Sequence, residues 1–342
     1  MKNSINYLLE GEAKSVLANI SLDPLEEKKI LITGATGLLG VNLISCLRTF
    51  SLNTKYKPRI TAVIHSPIED DFQQLYEFEN LKVVQGDLAE NEFISSLGNY
   101  DFIIHAAGYG QPGKFMVDQV KTLKLNTLST FSLLDRLSKD GRFLFLSSSE
   151  VYSGLLDFPY KEDQIGTTNT THKRSCYIEA KRCGEAICNA FRNQGVQAFS
   201  GRLALAYGPG TKKFDNRVLN SFIERGLLQK KIALQDDGSA NRTYCYITDA
   251  IEIMFHILFN GNNPIYNIGG KSKTTIAQLA HSIGKLLNAN VEIPLQSNKN
   301  DGAPDDVALD MGLIAEEFGK TEYCSLDYGL IKTINYQKFL YR

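Results

Sequence analysis

Tyr177 and Lys181 stand four apart in Ser175-Cys176-Tyr177-Ile178-Glu179-Ala180-Lys181. On a helix that spacing places a phenol and an ammonium on one face. A free phenol has a pKa of about 10 and is a poor base at neutral pH, but a neighbouring cation favours its ionised form. With a positively charged nicotinamide close by, Tyr177 can accept the proton of an alcohol or sugar hydroxyl while the carbon beneath gives up hydride. The pair points to redox chemistry on a hydroxyl group.

Such chemistry needs a cofactor site upstream, and the pattern Gly34-x-x-Gly37-x-x-Gly40 follows the apolar run Ile30-Leu31-Ile32 and opens a stretch of helical periodicity from Leu38 to Phe50. Strand, glycine turn and helix in that order suit a dinucleotide, because glycines let the backbone approach a pyrophosphate whose charge faces the helix N-terminus. The cofactor-contact residues expected there are Gly34, Thr36, Gly37, Leu38, Leu39 and Gly40. Gly86-Asp87-Leu88 and His105-Ala106-Ala107-Gly108 follow the next strand-like runs; their small residues leave room for the cofactor. Asp87 is expected either to bond an adenine amino group or to cap a helix. An acidic residue that would hold a ribose 2′-hydroxyl is missing where the second strand ends, Ile64-His65-Ser66, so NAD is expected and NADP is not excluded. His65 reads as an exposed loop residue.

Further strand-like runs at Ile60–Ile64, Lys82–Val84, Phe102–His105 and Phe143–Ser147 alternate with helix-compatible stretches such as 116–138, which predicts an α/β fold with a doubly wound parallel sheet. The expected division is an amphipathic extension over 1–27, a dinucleotide-binding domain over 28–205 with 245–270 returning to it, and a smaller substrate-binding lobe from 206–244 and 271–342. A net charge of −1, from 37 basic and 38 acidic residues, gives no electrostatic case for nucleic acid or an anionic membrane. No stretch approaches the ~20 consecutive apolar residues of a membrane span. The six cysteines include no Cys-x-x-Cys pair and the five histidines show no metal-ligand spacing, so a reduced, cytoplasmic, metal-free protein is expected.

Together the glycine turn, Ser147-Ser148-Ser149-Glu150-Val151-Tyr152, the Tyr177/Lys181 pair and Tyr207-Gly208-Pro209 resemble the extended short-chain dehydrogenase/reductases, the NAD-dependent epimerase/dehydratase family of nucleotide-sugar enzymes, from about Lys29 to Leu330. That resemblance implies a Rossmann sheet with a smaller C-terminal lobe, and a homodimer formed through the helices containing 116–138 and 176–194. Arg174-Ser175-Cys176-Tyr177, Asn216-Arg217-Val218 and Gly238-Ser239 leading to Arg242 and Tyr246 look most like UDP-glucuronate decarboxylases. The implied roles are Tyr177 as base, Lys181 lowering its pKa, Ser148 bonding the reacting oxygen, Asn126 positioning the active-site helix, and Arg217 and Arg242 facing the nucleotide diphosphate. Dehydratases of the family place Asp-Glu where this chain has Ser149-Glu150, and epimerases generally lack the glutamate. Serine there suits decarboxylation, which needs no acid-assisted leaving group. Glu150 is alternatively a carboxylate that orients its loop. The sequence departs from the family at Asp301-Gly302-Ala303-Pro304-Asp305, where a basic residue ahead of Pro-Asp is usual. A 4-epimerase, a 4,6-dehydratase and a non-catalytic NAD(P)-binding sensor stand as alternatives.

Overall fold

In the computed structural model, which describes residues 5–294 and 306–342, seven strands build one parallel sheet. They are β1 (Lys29–Thr33), β2 (Arg59–Ile64), β3 (Leu81–Gln85), β4 (Tyr100–His105), β5 (Leu137–Ser148), β6 (Gln197–Leu203) and β10 (Ile265–Ile268). Their order is β10-β6-β5-β4-β1-β2-β3. Ile30, Leu31 and Ile32 on successive positions of β1 are all fully buried, as a strand covered on both faces requires. The order reverses between β1 and β4, and the crevice outside the carboxyl ends of strands at such a reversal is where open α/β sheets bind ligands. The segment 301–305, where the sequence departs from its relatives, lies outside the described residues.

Between these strands lie β7 (Leu205–Tyr207), β8 (Lys231–Ala233) and β9 (Asn241–Tyr246), and after them β11 (Ser272–Thr275) and β12 (Asn290–Glu292). They form a three-stranded sheet, β11-β9-β7, and a β12-β8 pair. The helix Ile247–Asn260 carries the chain from β9 back to the main sheet, where β10 joins β6. The stretch 116–138 is not one helix. It breaks at Thr127 into Gln119–Asn126 and Leu128–Leu134, and β5 has begun by Leu137. The amphipathic start is the helix Ile5–Leu17, whose buried Ile5, Leu9, Ala13 and Val16 sit in the main apolar core; Glu12 bonds Tyr246 Oη at 2.9 Å and Asn19 bonds Glu252 at 2.8 Å.

The helix Ser175–Arg192 packs directly over β5 and β6. Gly184 is what permits the close approach: a Cβ there would lie 2.4 Å from the Phe145 ring and 2.9 Å from the Asn126 carbonyl oxygen. Gly184→Ala must move backbone as well as a ring, and we expect it to lower stability by about 1–3 kcal/mol. Urea unfolding of this variant beside Gly113→Ala, whose Cβ meets nothing within 4 Å, checks the point; the second variant should match the parent.

Candidate functional site

The carboxyl ends of β1, β4 and β5 deliver the chemistry-bearing residues to one crevice. At the end of β1, Gly34 has φ +66° and a Cβ there would sit 2.6 Å from the Ala106 carbonyl; a Cβ on Gly40 would sit 2.4 Å from the Gly34 carbonyl. The turn is therefore closed to side chains at both points. The helix Leu38–Asn53 begins with Gly37 as an N-cap that offers no side-chain acceptor, and its first turn holds no acid. Its first N–H groups and the positive end of its dipole are left for an anion. Thr36, Leu38 and Leu39 in this turn are partly exposed.

From β4, His105 is fully buried, and burial with Lys181 nearby pushes its pKa down to about 3, so the ring is neutral. Its Nε2 lies 3.0 Å from the Leu125 carbonyl and therefore donates; Nδ1, 2.8 Å from Thr33 Oγ1, then accepts the hydroxyl proton, and Thr33 Oγ1 accepts from Ala107 N at 3.2 Å. This relay fixes the Ala106-Ala107-Gly108 backbone. A Cβ at Gly108 would come 3.6 Å from Asn126 Oδ1 and 3.7 Å from Lys181 Nζ, so the three groups meet at one point. Asn126 donates its amide to the Thr122 carbonyl at 2.7 Å, while its Oδ1 is buried with no partner. Asp87 has both oxygens engaged within the protein, Oδ2 by Lys121 Nζ at 2.5 Å and Oδ1 by Ala89 N at 2.9 Å; Leu88 beside it is buried. Burial works to raise the Asp87 carboxyl, but these bonds outweigh it and hold it low. Beyond β2, His65 is exposed and Glu69 pairs with Lys212 at 3.1 Å.

From β5 and the helix Ser175–Arg192 come Ser148, Tyr177 and Lys181, all buried. Lys181 Nζ donates to the Leu146 carbonyl at 2.6 Å and lies 4.9 Å from the Phe145 ring centre and 5.6 Å from that of Tyr177. Burial lowers its pKa to about 7. The Tyr177 phenol is raised to about 12, first by burial, against a hydrogen bond from Ser148 and the charges of Arg174 and Arg217; Glu150 adds to the rise. The chain's own groups thus leave the phenol more basic than in water, and a further cation above it is what the sequence expectation requires. Ser148 Oγ also accepts from Glu150 N at 3.2 Å and caps the turn Ser149–Tyr152.

Arg174, noted in the sequence only as part of Arg174-Ser175-Cys176-Tyr177, and Phe115, which carried no sequence signal, are neighbours of the site. Arg174 Nη2 donates to Glu150 Oε1, and its guanidinium lies 5.5 Å from the Phe115 ring, which in turn stacks on Tyr177 at 4.4 Å and 11°. Glu150 Oε2 is buried and unbonded, and the carboxyl is raised by burial against the charges of Arg174, Arg242 and His172. Arg242 lies on β9 and donates to the Asn241 carbonyl at 2.6 Å. Arg217 is gripped by Asp215, with Nε 3.0 Å from each oxygen and Nη2 2.5 Å from Oδ2. The glycine turn, the unbonded Asn126 oxygen beside Lys181 and the uncapped helix together fit a dinucleotide. Gly34→Val should abolish that fit: calorimetric NAD affinity is expected to fall at least about tenfold, since both φ and the Ala106 contact oppose a side chain.

UDP-glucuronic acid decarboxylase 6 of Arabidopsis thaliana is 29% identical over 275 residues, spanning 80% of this chain and 78% of the relative. Among solved structures, MoeE5 in complex with UDP-glucuronic acid and NAD superposes with a TM-score of 0.74 at 22% identity, covering 91% of this chain and 99% of that one. UDP-glucose 4-epimerase of Thermotoga maritima, solved with UDP-glucose, gives 0.78 at 23%, covering 92% and 100%. The family model described as NAD dependent epimerase/dehydratase family matches residues 30–269, from the first residue after Lys29 in β1 to just past β10, and the chain belongs to that family of NAD-dependent nucleotide-sugar enzymes.

Proposed function

We propose that the protein oxidises the sugar of a nucleotide sugar at C4 and then releases carbon dioxide, the reaction of a UDP-glucuronate decarboxylase. The observation that carries this reading is the Ser149–Glu150 step in its setting. Arg174 and Arg242 place positive charge around Glu150, a field suited to a sugar that bears its own carboxylate. Expulsion of a C6 hydroxyl asks for an acid beside Glu150, and Ser149 is a poor one. The decarboxylase likeness at 29% identity supports the same choice.

In this reading Tyr177 Oη removes the C4 hydroxyl proton while Ser148 bonds the same oxygen, and Lys181 holds its positive charge beneath. NAD, when bound, supplies the acceptor for the hydrogen leaving C4 and a positive charge near the phenol. It is held by 34–40, Ala106–Gly108, Asn126 and Lys181, with Asp87 and Leu88 at the adenosine end. The C4 ketone makes the C6 carboxylate a β-keto acid. The C5–C6 bond breaks, its electron pair passes to the C4 oxygen, and Ser148 and Tyr177 bond the resulting enolate. Glu150 Oε2 is placed to manage the proton that C5 then takes. Arg217 and Arg242 are assigned to the diphosphate and Ser149 to the sugar. The cofactor half comprises 28–205 and 245–270, and the substrate half 206–244 and 271–342.

We assign a homodimer to the apolar surface formed by Val117, Val120, Leu123, Leu128 and Phe131, all exposed on and before the helices Gln119–Asn126 and Leu128–Leu134. Exposed apolar residues grouped on neighbouring helices in this way suit an interface. The six cysteines are all free thiols, and we place the protein in the cytoplasm; no helix among the described residues is long and apolar enough to cross a membrane.

Incubation with NAD and a panel of UDP-, GDP-, CDP- and dTDP-sugars, read by product mass, should show loss of carbon dioxide from UDP-glucuronate. Loss of water, or unchanged mass with altered stereochemistry, would instead favour the dehydratase or the epimerase. Tyr177→Phe should lower turnover by roughly 10²–10⁴-fold with NAD binding kept; unchanged turnover would defeat the assignment of Tyr177 as base, and no turnover by the parent protein across the panel would leave a sensor as the better reading. Val120→Asp with Leu128→Asp should convert the dimer to monomer in sedimentation velocity.

A further inference from the structure

One turn beyond Lys181, the same helix carries a buried carboxylate that the proposed chemistry does not use. Ser147 Oγ donates to Glu185 Oε1, and Arg202 grips both oxygens, Nε to Oε1 at 3.0 Å and Nη2 to Oε2 at 2.8 Å. All three residues are at most 5% exposed. Ser147 and Arg202 are register partners across β5 and β6, and Ser147 precedes Ser148. The remaining Arg202 nitrogen donates to the Glu162 and Gln164 carbonyls at 3.0 and 2.9 Å. One carboxylate therefore joins the helix of Tyr177 and Lys181, the strand of Ser148, and the segment that leads on to Arg174.

We propose that Glu185 is a positioning residue for the Tyr177/Lys181 helix: clamped by Ser147 and Arg202, it sets that helix against the end of β5 and supplies the negative charge that keeps the buried Lys181 ammonium protonated. The proposal rests on the roles given above to Tyr177 and Lys181. The surroundings of Lys181 otherwise offer that ammonium little compensation. β4 presents His105, which is neutral; β5 presents the Leu146 carbonyl and the Phe145 ring; the helix Gln119–Asn126 presents the Asn126 amide. On its own helix Lys181 faces Tyr177 and Glu185, the turn Ser149–Tyr152 contributes Glu150 with its partner Arg174, and β6 contributes Arg202 through Glu185. Burial depresses an ammonium and a nearby carboxylate opposes that. Without the Glu185 charge, two buried cations, Lys181 and Arg202, share one low-dielectric region.

The test is the pH profile of kcat/KM on full-length protein. In Glu185→Gln the alkaline limb, set by loss of the Lys181 proton, should move toward lower pH by about one unit or more. That change also strands Arg202, so Glu185→Gln/Arg202→Met is measured beside it. The double variant should regain melting temperature, and because the second cation is removed with the carboxylate its limb should come part of the way back; a limb that does not move in Glu185→Gln would make Glu185 a structural residue only and overturn the proposal. Glu185→Asp, which keeps the charge, should hold the limb near its original position with lower kcat, and a shift there equal to that of the Gln variant would also overturn it. Tyr177→Phe separates the two levels: retained turnover in that variant defeats the underlying assignment, whereas lost turnover with an unmoved limb in Glu185→Gln defeats this proposal alone.

Discussion

An ammonium group held out of water at the floor of the crevice is the constraint on which the rest of the site depends. Lys181 is 5% exposed, and a cation so buried is kept only if its hydrogen-bonding capacity and charge are met nearby. One bond goes to the Leu146 carbonyl, which ties the helix Ser175–Arg192 to β5 at a fixed height. The Phe145 ring lies beneath, where its negative face favours a cation. Gly184 lets the helix come close enough for both contacts, and Glu185 continues the polar seam one turn on. The same burial that makes Lys181 expensive also raises the Tyr177 phenol, so the two groups of the pair are pushed in opposite directions by one cause.

How much of this was legible in the sequence follows from which interactions are local. The β1-turn-helix unit could be read because strand, glycine spacing and helix periodicity lie within a few dozen residues, and the cost of a Cβ at Gly34 or Gly40 is a backbone matter. The Tyr177/Lys181 pair could be read because four-residue spacing is a helical contact. Phe115 could not. It stacks on Tyr177 from 62 positions earlier in the chain, out of a short helix whose sequence, Pro112–Phe115, resembles a turn. Glu185 and Arg202 each looked like an ordinary charged residue of an amphipathic element, and only the pairing of β5 with β6 brings Arg202 under the helix. The break at Thr127 was hidden because both half-helices share one periodicity.

Asp87 and Arg217 illustrate how a charge noticed in sequence is rarely free. Asp87 does not cap the next helix, which starts at Asn91 with Glu90 as its N-cap; it closes a local turn through Ala89 and pairs with Lys121, and an anchored carboxylate can still present a lone pair to a ligand. Arg217 is oriented by Asp215, a buried carboxylate, which removes rotamer freedom from a long side chain before any phosphate arrives. A pre-oriented guanidinium costs less to order on binding than one drawn from solvent, so the grip of Asp215 favours the assigned role of Arg217 as much as it competes with it.

The charge around Glu150 has a consequence for how one scaffold separates related reactions. On a parallel sheet the ends of β5 and of the helix Ser175–Arg192 are fixed by buried contacts, so under the proposed reading the oxidation step can stay the same while chemistry at C5 and C6 is altered in the turn Ser149–Tyr152 and by what surrounds it. Here that turn places a half-bonded carboxylate between Arg174 and the charge of Arg242. A neutral C6 hydroxymethyl group would meet a cationic field with nothing to neutralise, whereas a C6 carboxylate would gain attraction on binding. In the proposed reaction the same attraction would be lost as carbon dioxide departs uncharged. Binding the ground state too firmly would slow that departure, so under the proposed reaction the Glu150 carboxylate, by partly cancelling Arg174, would leave a field strong enough to attract an acid sugar without trapping it.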